Sequence, residues 1–172
     1  MNSGDPDTTE IRYMEVIYRK TARLFEAGAQ IAAIVAKAPP PVEAALTRYG
    51  KHLGIAFQLV DDALDYQGDS EELGKNVGDD LAEGKPTLPL IHALANSDAK
   101  SAAMIREAIE RGGTEQQAPI IEMVERAGGL DYTARLAGDE AEKAEEALAD
   151  LPASAYRDAL AELARFAVNR RS

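Results

Sequence analysis

The chain has 172 residues, 45% of them hydrophobic, no cysteine, and a formal net charge of −11 from 30 acidic and 19 basic side chains. That length can bury one sizeable core, and the acidic surplus opposes nucleic-acid phosphate and anionic membrane surfaces. With no basic-then-apolar leader, no cysteine and no run of 18 apolar residues, the expectation is a single cytoplasmic domain over residues 1–172, with no membrane span and no nucleic-acid partner.

Apolar residues recur at spacings of three and four rather than two, which predicts an all-α chain. The first helix is expected to start after Asp7, where Asp7 and Glu10 have capping-box spacing. It should run through Ile17, Leu24 and Ile31 toward Lys37, and Pro39, Pro40 and Pro41 stop it. A second, long helix should begin near Pro41 or Val42 and reach about Tyr66, with Leu46, Tyr49, Leu53, Phe57, Val60 and Leu64 on its apolar side and Gly68 closing it. Residues 68–86, charged and punctuated by Gly68, Gly74, Gly78 and Gly84, read as a functional loop. Further helices are expected near 87–94, 99–111, 119–127, 130–151 and 153–170.

At about 100° per residue, Gln58, Asp61, Asp62 and Asp65 share one narrow face of the second helix. A polar helix face is ordinarily just solvated, and a lone DDxxD leaves that reading open beside a metal-binding one. Three features weaken the solvated reading and leave the two evenly matched. No Lys or Arg occurs between Lys51 and Lys75 to neutralise Asp61, Asp62, Asp65, Asp69, Glu71 and Glu72. Aspartate is a weak helix former, but its short carboxylate suits a hard cation such as Mg2+. Gly54, on the same face, would leave room for a ligand. Cationic partners are at hand. Lys20 lies in line with Ile17, Leu24 and Ala27, on the expected inward side of the first helix, followed by the hydroxyl of Thr21. Lys75 and Lys85 each follow a glycine in the loop, while Asp79, Asp80 and Glu83 read as solvation or ion pairing. Carboxylates holding Mg2+, with lysines arriving from elsewhere, would let an acidic protein bind a diphosphate.

The segments Tyr18-Arg19-Lys20-Thr21-Ala22, Phe57-Gln58-Leu59-Val60-Asp61-Asp62-Ala63-Leu64-Asp65-Tyr66, Leu73-Gly74-Lys75-Asn76-Val77-Gly78-Asp79-Asp80 and Glu83-Gly84-Lys85-Pro86-Thr87-Leu88-Pro89-Leu90 occur in that order. Together they resemble the second half of the trans-isoprenyl (polyprenyl) diphosphate synthases, a transferase family, and its long-chain members in particular. The resemblance implies an orthogonal helical bundle of the isoprenoid synthase type, here a partial one, around a hydrophobic cavity, usually in a homodimer. It implies head-to-tail condensation of an allylic diphosphate with isopentenyl diphosphate, giving a long-chain polyprenyl diphosphate for quinone side chains. Carried over residue by residue, Lys20, Thr21, Gln58, Lys75 and Lys85 would contact the allylic diphosphate. Asp61 would bind Mg2+ directly, and Asp62 and Asp65 would complete that motif through water or a second shell. Lys20, Gln58 and Asp61 would be the catalytic contacts.

The family's first aspartate-rich motif and its isopentenyl-diphosphate ligands belong upstream of residue 1. A prenyltransferase fragment with little turnover is therefore expected. The alternative is a noncatalytic regulatory or complementing subunit that pairs with an N-terminal-half partner, and the plainest reading is a helical interaction module. Ile17, Leu24 and Phe57 would lose their cover, which predicts self-association as a homo-oligomer. His52 and His92 read as helix-surface or packing residues, and Arg170 as part of a solvated tail.

Overall fold

A computed structural model describes residues 3–67, 78–112 and 117–170. Among the described residues there are helices and turns but no strand, as the periodicity predicts. No helix there is long and apolar enough to cross a membrane.

Helix α1, Glu10–Ile17, starts two residues later than the capping-box spacing suggests. The Thr9 hydroxyl accepts the Arg12 N–H at 3.3 Å, which gives the first turn a side-chain acceptor. Asp7 instead pairs with Arg106 at 2.9 Å. The helix then passes into a single π turn, Tyr18–Ala22, and continues as α2, Arg23–Val35. A π turn holds one residue more than an α turn, so every later side chain is rotated relative to α1. Tyr13, Ile17, Ala22, Glu26 and Ala33 are consequently the buried positions, while Leu24 is 77% exposed. This corrects the expected register: Lys20 and Leu24 do not continue the Ile17 stripe, and both face solvent.

Helix α3 runs Pro40–Leu64, beginning with a proline whose missing N–H costs nothing at a helix start. Its first half is amphipathic. Beyond Leu53 it is buried on most sides, Gln58 and Asp62 included, so the predicted polar face is only partly solvated, with Asp61 its exposed member. Gly50 and Gly54 are close-packing residues. A Cβ on Gly54 would lie 2.6 Å from the Cα of Ala22, and one on Gly50 would lie 2.5 Å from the Phe25 carbonyl oxygen. The space at Gly54 is thus taken by the backbone of the π turn and not by a ligand, contrary to the expectation from sequence.

The rest of the described chain is α4, Asp79–Ala82; α5, Leu88–Asn96; α6, Ala99–Arg111; α7, Gln117–Arg126; α8, Gly129–Ala147; and α9, Ala155–Asn169. The backbone falls into two units, one of Met1–Met14 with Asp61–Ala134 and the other of Glu15–Val60 with Arg135–Arg171. In the first, Tyr66, Leu81 and Leu90 pack with Ile105, Ile109, Ile120 and Val124. Each such aliphatic side chain contributes about 1.5–3 kcal/mol on burial. Asp98 caps α6 by accepting the N–H groups of Lys100 and Ser101, and Gly112 ends it with φ +61°. In the second unit, Tyr49 and Leu53 meet Ala144, Ala147, Leu148, Ala164 and Ala167. The Tyr49 hydroxyl donates to the Leu160 carbonyl at 2.8 Å.

Candidate functional site

The carboxylates of the aspartate motif belong to the first unit, and they do not share one environment. Asp61 is exposed, and Asp65 is half-buried in the turn after α3. Asp62 is only 4% exposed. Its Oδ2 accepts the hydroxyl of Tyr13, itself fully buried, at 2.6 Å. Burial, and then the charge of Asp62, hold the Tyr13 phenol well above its usual range, so it remains a donor. Beneath the motif, Tyr66 and Thr87 share a hydroxyl–hydroxyl bond of 2.9 Å.

Asp65 is tied to the start of α4. Its carbonyl accepts the Gly78 N–H at 2.7 Å, and its Oδ2 accepts the Asp80 N–H at 3.1 Å. Burial first, and the charge of Asp80 second, push its carboxyl up to about 6. Lys85 donates to Asp80 Oδ1 at 2.9 Å and pairs with Glu83 Oε2 at 2.6 Å. The hydrogen bonds it donates to Glu83 and Asp80 raise its pKa, which keeps the ammonium charged. To meet a diphosphate, Lys85 would have to exchange one of these carboxylates for a phosphate oxygen.

In the second unit the π turn presents Lys20 to solvent and Thr21 to α3. The Thr21 hydroxyl donates to Gln58 Oε1 at 2.6 Å, fixing which end of that amide is the acceptor. Lys75, with Gly68 and Gly74, lies outside the described residues. His52 bonds Glu140 at 2.7 Å, and His92 stacks on Tyr132 with ring centroids 4.3 Å apart. Both are packing histidines, as expected. Arg170 is no solvated tail residue: its guanidinium lies 4.1 Å from the Phe57 ring centroid and donates to the Phe57 carbonyl at 3.1 Å.

Sequence reasoning missed Tyr13 and the π turn. Tyr13 does sit one helical turn before Ile17, on the buried side. Its partner, however, is 49 residues away, beyond the reach of local pattern. A cleft of about 450 Å3 beside Pro6–Glu10 and α5 is lined by none of the aspartate-motif residues.

Among the described residues no three His, Cys, Asp or Glu side chains converge on a ready-made metal cage. Mg2+ does not require one, since it uses one or two carboxylates and takes its other oxygens from water and substrate phosphate. The donors present fit that ion: they are hard oxygens, Asp61 is open to solvent, and Asp65 carries a charge that its surroundings disfavour.

The fold places the chain in a class of solved proteins. A polyprenyl synthase from Caulobacter crescentus, solved in complex with calcium and isoprenyl diphosphate, is similar with a TM-score of 0.94 and 47% identity, covering 100% of this chain and 53% of that one. The family model for polyprenyl synthetase matches residues 1–126, and the chain belongs to that family. It is also similar to the octaprenyl diphosphate synthases of Escherichia coli, 54% identical, and Haemophilus influenzae, 53% identical, each over 171 residues. Those matches cover 99% of this chain but 53% and 52% of the relatives, so the chain spans about half the length of the curated relatives it matches.

Proposed function

We propose that the chain supplies the diphosphate-ionising side of a trans-polyprenyl diphosphate synthase, binding an allylic diphosphate through Mg2+ for condensation with isopentenyl diphosphate. The observation that carries this is the division of labour within the aspartate pair. Asp61 is exposed to solvent, while Asp62 is anchored inside the protein. The calcium and isoprenyl diphosphate bound by the Caulobacter crescentus relative support the same ligand chemistry.

Asp61 would hold Mg2+ directly, with Asp62 and Asp65 orienting the bound water. When present, the ion would neutralise charge gathering on the diphosphate as the allylic C–O bond ionises. Lys20, Lys75 and Lys85 would share that task from the protein side, and Gln58, held by Thr21, would donate its amide N–H groups to phosphate oxygen. The product would be a long-chain polyprenyl diphosphate serving as a quinone side-chain precursor.

Titration calorimetry of the chain with an allylic diphosphate in Mg2+ tests this. Binding is expected to require Mg2+ and to weaken at least tenfold in Asp61→Ala, with condensation at or near background for the chain alone. Diphosphate binding that is indifferent to Mg2+ and to Asp61→Ala would remove the proposal. Because the chain spans about half the length of its relatives, a second reading is a complementing subunit of a split synthase. Restoration of turnover by adding a separately produced N-terminal half would distinguish it.

A further inference from the structure

We propose that Tyr13 is a positioning residue of the metal site: its hydroxyl fixes the Asp62 carboxylate, and through it the water shell of the cation held by Asp61. This rests on the Mg2+–diphosphate reading above. Tyr13 and Asp62 are 0% and 4% exposed, and their oxygens are 2.6 Å apart. That is the length expected when a hydroxyl donates to an ionised carboxylate.

A buried carboxylate is costly unless hydrogen-bonded, and a fold needing only to fill this space would do better with apolar side chains at both positions. The arrangement has a use if the carboxylate must stay charged and point in one direction. The neighbouring Asp61 is exposed to solvent, whereas Asp62 is enclosed by the protein and held from inside. Hydrogen-bond partners of this kind set the orientation of metal-site carboxylates, and their removal typically weakens metal affinity about 10- to 100-fold.

The test is Mn2+ binding in the presence of inorganic diphosphate, followed by water-proton relaxation on the 172-residue chain well below its melting temperature. Tyr13→Phe removes one oxygen and is expected to weaken Mn2+–diphosphate binding about tenfold in the folded protein. A purely structural tyrosine would lower the melting temperature and leave that affinity unchanged, which would overturn the inference. Asp61→Ala serves as the reference. If it abolishes binding while Tyr13→Phe leaves the affinity unchanged, the metal reading stands and the role of Tyr13 falls. If the unaltered chain binds no Mn2+–diphosphate, both fall.

Should Tyr13→Phe be too unstable to handle, Tyr13→Phe combined with Asp62→Asn removes the buried charge and is compared with Asp62→Asn alone. Equal affinities are expected, because Tyr13 acts only through the carboxylate. A further loss in the pair would contradict the proposal.

Discussion

Asp61 and Asp62 are adjacent and chemically identical, yet one faces water and the other is anchored to Tyr13. Asp65 adds a third environment, with a pH signature of its own. Its carboxyl sits at about 6, above the ordinary 3.8, so between those values the folded state binds more protons than the unfolded one. Stability therefore falls as pH rises through about 4 to 6. In metal-free buffer, thermal melts of the native chain should lose on the order of 1 kcal/mol across that window relative to Asp65→Asn, allowing for solvent screening of a half-exposed group. Parallel pH profiles for the two proteins would show that Asp65 carries no such strain. The identity of these carboxylates was legible in the sequence, because the missing counter-charges and the spacing are local facts. Their differing burial was not, since it depends on Tyr13 arriving from another helix.

Among the elements, the π turn decides which side chains the first helical run offers. One added residue turns Leu24 outward, brings Ala22 and Glu26 inward, and sets Thr21 against Gln58. Hydropathy could not reveal it: Leu24 looks like a core residue and Glu26 like a surface one, the reverse of what is found. By contrast, α6 spans the expected 99–111, with Asp98 as its cap and Gly112 at positive φ just beyond it. The turn depends on Gly54, whose absent side chain admits the Ala22 backbone. Gly54→Ala should therefore destabilise by about 1–3 kcal/mol, the usual range for overpacking against backbone, read as a lower midpoint in urea followed by circular dichroism. An unchanged midpoint would mean that α3 and the π turn can separate at little cost.

For the whole molecule, the apolar surface matters most. Leu24, Ile31, Ile34 and Val35 on α2, with Tyr156, Leu163 and Phe166 on α9, are exposed, whereas Ile17, which the sequence suggested would lose cover, is buried. Light scattering coupled to size exclusion is expected to show self-association that Leu24→Glu or Phe166→Ser reduces; a monomer at all concentrations would contradict it. The second unit has another consequence, since its core draws on residues 15–60 and 135–171 and its ties join Tyr49 to Leu160 and Phe57 to Arg170. During synthesis, α2 and α3 therefore emerge long before the helices that complete their core. The closing contacts are non-local, carrying the loop entropy that slows folding. Until α9 leaves the ribosome, Tyr49 and Phe57 lack the Leu160 and Arg170 partners they have in the folded protein, although Phe25 can already meet Phe57.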